Sequence, residues 1–364
     1  MKNSFGNNVC LTLFGESHGP AVGAVIDGLA PGISVDTSFI KKQLDLRRSF
    51  SDISTSRCEK DEFIIESGVF NGKTTGTPLC ILIPNNDVNS SDYDEIANKA
   101  RPGHVDYSAF CKYKGYEDYR GGGHFSGRIT SALVAAGAVL IDALNVKGIK
   151  IGTHIKKCGT VSDREFEDFN KDISVLSDSM FPVLCSDAAD KMVTEIKNAQ
   201  KNGDSIGGIL ETVITGVPAG TGEPWFDSFE GVLSHALFSI PAVKGVEFGC
   251  GFFCTEMTGS EMNDEFIIEN GQIVTKTNNN GGINGGISNG MPVIFRTAIK
   301  PAPSISKTQN TVDFITKQET EININGRHDS CIVHRARVVQ DSICALVLCD
   351  LLSQKYGTDW LGAK

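Results

Sequence analysis

Short apolar runs bounded by turn residues predict a chain rich in β-strands. Residues 22–28 form one such run, which ends in the turn 29–32, and residues 209–216 form another before the turn 217–220. The two passages read VIDGLAPG and VITGVPAG, and their likeness indicates that a strand–turn–helix unit is duplicated within the chain. Further strands are predicted at residues 63–67, 79–83, 245–248 and 292–299.

A helical spacing of apolar positions predicts four helices. Residues 36–46 start at a capping residue, Asp36 or Thr37, and residues 187–201 carry their apolar side chains along one stripe, as a surface helix does. Residues 126–145 contain many small side chains, which predicts a central helix that packs closely on several sides. Residues 342–352 form an apolar helix near the C-terminus.

These strands and helices do not alternate as regular βαβ units, which favours an α+β fold. No linker rich in Ser or Pro and no low-complexity run divides the chain. We therefore expect a single domain over residues 1–364, with an internal pseudo-repeat whose halves span roughly residues 1–200 and 201–364.

Composition and charge narrow the function classes. The 364 residues are 40% hydrophobic, and 34 basic against 44 acidic side chains give a formal charge of −10, which argues against a nucleic-acid-binding protein. No secretory signal opens the chain, and no stretch approaches the ~20 apolar residues of a membrane span. The 11 scattered cysteines lack zinc spacing, so we expect reduced thiols in a cytoplasmic protein without a metal site.

Three of the seven histidines lie in short stretches crowded with glycine, arginine or acid. Histidine exchanges protons near neutral pH, arginine binds phosphate or carboxylate in a forked geometry, and glycine lets the backbone approach a ligand. Together they predict one enzyme site for an anionic small molecule. The stretches are Gly15-Glu16-Ser17-His18-Gly19, Arg101-Pro102-Gly103-His104-Val105-Asp106 and Gly326-Arg327-His328-Asp329.

Two glycine-rich segments are candidates for ligand binding. Residues 120–128 lead into the predicted central helix, where backbone N–H groups bind anions, although neither the P-loop nor the dinucleotide spacing is present. Residues 278–290 hold so many glycines and asparagines that they suit a backbone folded around a planar or phosphorylated ligand. Lys300 follows soon after and could pair with a phosphate or with the N1 side of a reduced flavin. Both segments could instead be surface loops.

Other enzyme and non-enzyme classes stay open on the residues alone. A hydrolase built from Ser17, His18 and Asp329 is disfavoured, because no nucleophile elbow surrounds Ser17. An FMN-dependent oxidoreductase would use the same glycine loops, and a ligand-binding protein without activity would keep the arginines.

The ordered motifs along nearly the whole chain closely resemble those of the chorismate synthase family. The resemblance implies a β-α-β sandwich-like fold with two similar halves, in which sheets pack around central helices. The residues that carry it are Gly15 to Gly19, Val25 to Gly28, Arg101 to Tyr107, Asp118 to Gly123, Gly203 to Gly207, Gly222 to Pro224, Ala242 to Glu247, Gly281 to Ser288, Lys300-Pro301 and Gly326 to Asp329.

The resemblance also implies a reaction. Members of this family convert 5-enolpyruvylshikimate 3-phosphate to chorismate and phosphate, in the shikimate pathway of aromatic amino-acid biosynthesis. The reaction is a 1,4-anti elimination that requires reduced FMN, although it involves no net redox change. A homotetramer is implied as well, and the reduced flavin would come either from NADPH or from an external flavin reductase.

The resemblance assigns roles to individual residues. His18 would protonate the departing phosphate, His104 would donate a proton near the flavin, and Asp329 would assist flavin N5 in removing the substrate's C6 hydrogen. The expected substrate-binding residues are Arg47, Arg48, Arg128, Arg327 and Arg337. The expected flavin-binding residues are His124, Phe125, Ser126, Ala242, Gly285, Lys300, Pro301, Ala302, Pro303, Ser304 and Arg327.

The chain departs from the family pattern at several of these positions. His124 stands where the family usually has arginine, Ile129 where it has glutamate, and Pro241 where asparagine is common. The segment after Arg47-Arg48 is shortened, with Asp52 and Ile53 where a further charge is expected. Each change removes a charge or a hydrogen bond, which predicts weaker flavin or substrate binding. A degenerate ligand-binding paralogue is the corresponding alternative.

Overall fold

Two five-stranded antiparallel sheets lie on either side of a layer of helices in the computed structural model, which describes residues 2–49, 53–54, 60–86, 97–324 and 329–362. The strands of the described residues are β1 (Ser4–Phe5), β2 (Cys10–Gly15), β3 (Ala21–Asp27), β4 (Ile64–Ser67), β5 (Val69–Phe70), β6 (Lys73–Thr74), β7 (Leu79–Pro84), β8 (Lys150–Cys158), β9 (Val161–Ser162), β10 (Gly208–Thr215), β11 (Val243–Phe248), β12 (Phe266–Glu269), β13 (Gln272–Thr275), β14 (Ile283–Asn284), β15 (Ile287–Ser288), β16 (Val293–Ile299), β17 (Gln309–Asp313) and β18 (Gln318–Ile322). The helices are α1 (Thr37–Leu46), α2 (Asp106–Tyr113), α3 (Thr130–Val146), α4 (Phe169–Leu176), α5 (Ser186–Lys201), α6 (Phe229–Leu237), α7 (Gly259–Met262) and α8 (Val333–Tyr356).

The two similar passages of the sequence form the central strands of the two sheets. The first sheet has the order β1-β2-β3-β7-β4 and the second has the order β11-β16-β10-β8-β9. The first passage is β3 and the second is β10, and each is followed by a turn and then a helix. The second sheet already begins at β8, so the sheets do not divide the chain at residue 200. The internal repeat stays a proposal.

The helical layer joins the sheets. Helix α3 packs on β3 and β7 of the first sheet, helix α8 packs on β8 and β10 of the second, and the two helices pack on each other. They are in close contact at Gly137, where an added Cβ would lie 2.3 Å from Cβ of Ser342. The small side chains of α3 therefore allow two buried helices to share one layer, and the predicted α+β sandwich is confirmed.

The expectation that no stretch of the chain approaches a membrane span in length and hydrophobicity was wrong for the central helix. Residues 127–146 are long and apolar enough to pass as a membrane span by length and composition. Most of this segment is buried inside the fold, and residues such as Val134 and Ala138 have no exposed surface. Its hydrophobicity is therefore accounted for by contacts with α1, α8 and the first sheet.

The other predicted elements are confirmed, with one change of length. Helix α1 is capped by Asp36, whose carboxylate accepts hydrogen bonds from the backbone N–H groups of Ser38 and Phe39. Helix α8 begins at Val333 and not near residue 342. Its first turns are polar in sequence, yet they are buried because partners on the second sheet and on neighbouring loops satisfy them. Asp341, for example, accepts a 2.6 Å hydrogen bond from Thr153.

Candidate active site

A cavity of about 1130 Å³ brings together most of the residues predicted to act. Its walls come from both ends of the chain and from the loops between them, as expected for a site assembled from distant motifs. The predicted residues that line it are His18, Arg47, Arg48, His104, His124, Phe125, Ser126, Arg128, Ala242, Lys300, Ala302, Pro303, Ser304 and Asp329.

A loop of three glycines stands between two of the sequence motifs. Gly121, Gly122 and Gly123 all have positive φ, at 59°, 82° and 52°, which glycine adopts without strain. A Cβ on Gly121 would lie 2.3 Å from Cε1 of His18, so the buried ring of that histidine packs directly on the loop. The carbonyl of Gly123 accepts a 3.0 Å hydrogen bond from the backbone N–H of Ser17. The loop and the first histidine motif therefore form one unit.

The second histidine lies against the next residue of the same loop. A Cβ on Gly122 would lie 3.7 Å from Nε2 of His104. On the other side of the ring, Nδ1 of His104 lies 2.6 Å from Oδ1 of Asp106. Burial would raise the pKa of Asp106, but hydrogen bonds from Arg101 and His104 hold it well below its usual value. Consecutive glycines therefore place His18 and His104 beside one cavity.

Two buried arginines share a carboxylate at the cavity wall. Asp61 accepts a 2.9 Å hydrogen bond from Nη2 of Arg47 and also pairs with Nη1 of Arg128. Burial would raise the pKa of Asp61, but the two guanidinium groups lower it. Burial lowers the pKa of Arg47, although Asp61 opposes this effect. One carboxylate between two cations leaves a net positive site, which suits an anionic ligand.

The third motif adds another pair of charges. Asp329 pairs with Arg335 of α8, and Nε of Arg335 donates a 2.9 Å hydrogen bond to the carbonyl of Arg47. Both Asp329 and Arg335 line the cavity. Arg327, the remaining arginine of this motif, lies outside the described residues, as does Asp52.

Several residues expected to bind flavin are connected to one another and to the histidine motifs by hydrogen bonds. Nζ of Lys300 donates a hydrogen bond to the carbonyl of Gly103, and its backbone N–H donates to the carbonyl of Ala242 at 2.9 Å. Ala242 has a φ of 74°, an unusual conformation for a residue with a side chain, as found at functional sites. Nδ1 of His124 lies 2.8 Å from the carbonyl oxygen of Gly15. The departure at His124 thus ties the glycine loop to β2.

The cavity also has the size and the lining to hold a planar cofactor together with a substrate. It exceeds the upper end of the ~300–1,000 Å³ that ligand pockets usually measure. Beside the charged groups, its walls are apolar, and these side chains could cover an aromatic ring. They include Leu13, Leu133, Ile240, Val339, Ile343 and Leu346.

Three predicted residues lie away from this cavity. The guanidinium of Arg337 is buried, donates a 2.7 Å hydrogen bond to the carbonyl of Ser179 and faces Asp341. We therefore correct its assignment to the substrate: in a helix, residues two positions apart point to nearly opposite sides, and Arg335 is the one that faces the cavity. Gly285 lies in the turn between β14 and β15, and Pro301 packs on Gly207, and neither lines the cavity.

The segment rich in asparagine and glycine is also not where its composition suggested. Within residues 278–290, no side chain or backbone atom contributes to the described cavity lining. Its backbone is instead held by Asp264, which accepts hydrogen bonds from the N–H groups of Asn279 and Asn280. Gly281 packs so closely on the backbone of Gly249 that a Cβ would lie 2.5 Å from its nitrogen. The glycines serve chain packing here.

Two residues of the site escaped sequence reasoning. Asp61 lies in a stretch without any motif, so no signal pointed to it. Arg335 could have been found by extending the helical period of α8 back to Val333, which places residues 332, 335, 336 and 339 on one face.

Comparisons with known proteins agree with this geometry. Residues 9–353 match the family described as chorismate synthase. Chorismate synthase of Thermococcus gammatolerans is 48% identical over 96% of this chain and 97% of its own length, and that of Pyrococcus abyssi is 49% identical over 95% and 96%. A crystal structure of chorismate synthase superimposes with a TM-score of 0.76 at 28% identity, covering 97% of this chain and 94% of that one.

Proposed function

This chain belongs to the chorismate synthase family, and on that premise we propose that it converts 5-enolpyruvylshikimate 3-phosphate to chorismate and phosphate by a 1,4-anti elimination that requires reduced FMN. It is an enzyme of the lyase class. The observation that carries the proposal is the placement of His18 and His104 against consecutive glycines beside one cation-rich cavity.

The substrate's charged groups bind the arginines of the cavity. Arg47 and Arg128, held together by Asp61, attract the phosphate and carboxylate groups, and Arg48 adds charge at the same wall. His18 lies beside the glycine loop, where it can protonate the departing phosphate. A general acid placed in this way typically accelerates a reaction by about 10²–10⁴-fold.

The flavin site uses the residues on the far side of the glycine loop. His124, Phe125, Ser126, Ala242, Lys300, Ala302, Pro303 and Ser304 line the cavity and would hold FMN, and the resemblance adds Arg327. When bound, reduced FMN supplies the base that removes the substrate's C6 hydrogen without net redox change. Nε2 of His104 faces the glycine loop on this side, where it can exchange a proton, and Asp329, paired with Arg335, assists the removal.

Anaerobic stopped-flow with photoreduced FMN and the enol-ether substrate tests the proposal. We expect many molecules of phosphate and chorismate per flavin, with no net flavin oxidation. Flavin oxidation in proportion to product would instead identify an oxidoreductase. Tight binding without phosphate release would identify a ligand-binding paralogue.

We also propose that the protein is a homotetramer whose reduced FMN comes either from its own reaction with NADPH or from an external flavin reductase. Large apolar side chains that are exposed on the single chain support self-association, since an interface would cover them. Phe252 is 81% exposed and Phe226 is 93% exposed. Light scattering on the purified protein should give four times the 39.1 kDa chain mass. Steady flavin reduction by NADPH with this protein alone would refute the need for a reductase.

A further inference from the structure

His104 is held by a compact arrangement of two charged residues from its own segment. Asp106 accepts two hydrogen bonds from the side chain of Arg101, one from Nε and one from Nη2, both at 2.7 Å. The backbone N–H of Arg101 donates to the same carboxylate at 3.1 Å. Oδ1 of Asp106 also faces Nδ1 of His104 at 2.6 Å. One carboxylate therefore binds an arginine fork and an imidazole at once.

These contacts decide which ring nitrogen carries the proton. The forked hydrogen bonds from Arg101 keep Asp106 ionised, and an ionised carboxylate only accepts hydrogen bonds. A bare Nδ1 at 2.6 Å would place two lone pairs against each other, so Nδ1 must carry a hydrogen. Nη2 of Arg101 lies 3.0 Å from Nδ1, and both are donors that share Oδ1 as their acceptor.

The remaining nitrogen, Nε2, faces the glycine loop beside the cavity. The charged groups near His104 outside its own segment are Lys300, which donates to the carbonyl of Gly103, and Asp118 and Glu117, which line a small cavity together with Asp106 and Gly122. We propose that Asp106 and Arg101 are positioning residues for His104: they hold its proton on Nδ1, so that Nε2 is the nitrogen that exchanges a proton with the ligand. The inference rests on the proposed function only in assigning that exchange to catalysis.

The chain contains a matched control pair in Asp118 and Arg120, at the start of the glycine loop. Asp118 accepts hydrogen bonds from Nε and Nη2 of Arg120, each at 2.8 Å, in the same forked geometry. No such bond joins Asp118 to His104 among the described contacts. Asp118→Asn therefore removes an equivalent ion pair without touching the nitrogen in question.

Nitrogen NMR of ¹⁵N-histidine-labelled, ligand-free protein tests the arrangement directly, with the His104 signals assigned from His104→Gln. In the neutral ring we expect hydrogen on Nδ1 in the wild type and in Asp118→Asn. In Asp106→Asn we expect a mixture of tautomers, because an amide can either accept or donate. Hydrogen on Nε2 in the wild type, or an unchanged tautomer in Asp106→Asn, would overturn the proposal. The wild-type measurement needs no enzyme activity, so its outcome is independent of the proposed reaction.

Turnover then tests whether the arrangement serves catalysis. Asp106→Asn should lower kcat by about 10²-fold with little change in the KM of the substrate. Loss of the negative charge should also move the alkaline limb of the pH–kcat profile to lower pH, and Arg101→Gln should move it to higher pH. If both variants moved the alkaline limb in the same direction, or if Asp106→Asn changed only KM, the two residues would have a structural role only, and the positioning role would be overturned.

Discussion

The Cβ that any side chain would add at Gly121 lies 2.3 Å from Cε1 of His18 and 2.8 Å from Oγ of Ser17. The ring of His18 thus occupies the space that only glycine leaves open. Its position is set by backbone packing of a loop more than a hundred residues away.

Gly121→Ala should therefore displace His18 while leaving the fold intact. We expect a loss of turnover approaching that of His18→Ala, about 10²-fold or more, since a misplaced general acid loses most of its effect. Gly148→Ala is the matched control, because Gly148 has a φ of 77° but no atom within 4 Å of an added Cβ. Both variants place a side chain at a positive φ, so equal turnover in the two would contradict the role of the contact.

Asp61 should control the anion site through the two arginines it joins. In Asp61→Asn two buried guanidinium groups lose their counter-ion. We therefore expect the free energy of unfolding to fall by about 3–5 kcal/mol. Added inorganic phosphate should recover more stability in this variant than in the wild type, because it replaces the missing charge. Thermal denaturation with and without phosphate measures both effects.

Asp172→Asn serves as the control for that experiment, since Asp172 is buried against Arg164 in a comparable forked pair. It should destabilise the fold without any added dependence on phosphate. The account of Asp61 fails if phosphate stabilises the two variants equally.

Lys300 should contribute to flavin affinity through both its charge and its contact with Gly103. We expect Lys300→Met to raise the Kd for FMN by about tenfold, the loss of one hydrogen bond to a charged group. Lys355→Met is a suitable control, because Nζ of Lys355 also donates to a backbone carbonyl, that of Ala219 at 2.6 Å. Equal flavin affinity for both variants would remove Lys300 from the site. The same titration measures whether the wild type binds flavin weakly, as the departures at His124 and Ile129 predict.

A row of charged side chains crosses the second sheet and should make stability depend on pH. Glu247, Arg296, Glu211 and His154 are directly opposite one another on β11, β16, β10 and β8. His154 is fully buried, with Asp163 at 2.7 Å and Glu211 at 3.0 Å from its two nitrogens. Burial would lower the pKa of His154, but the hydrogen bonds and charges of the two carboxylates raise it above the unfolded value of 6.5.

The pKa of His154 is higher in the folded than in the unfolded protein, so protonated His154 stabilises the fold. This contribution is fully present below about pH 6.5 and is lost as the pH rises through the folded pKa. Urea unfolding from pH 6 to pH 9 should show the decline in the wild type. His154→Gln should be less stable at pH 6 and should flatten the dependence, whereas His235→Gln, at an exposed position, should retain it. An identical slope in His154→Gln would refute this account.

Local patterns were enough to predict the two central strands, the cap of α1 and the small-residue packing of α3. The same patterns placed the start of α8 too late, because polar residues such as Gln340 and Asp341 are typical of a protein surface. Here they are buried and bind Thr297 of β16 and Thr153 of β8, contacts that the sequence alone does not show. The histidine motifs pointed to His18 and His104, which line the same cavity, but their roles stay a proposal. Asp61 and the orientation of Arg335 depend on tertiary contacts, which a single sequence does not encode locally.

A structure with FMN and the enol-ether substrate bound tests the central claim most directly. The account predicts both ligands in the 1130 Å³ cavity, with the substrate phosphate within hydrogen-bonding distance of His18 and the flavin on the side of His104 and Lys300. A flavin bound outside this cavity, or a phosphate group held at His104 and remote from His18, would contradict it.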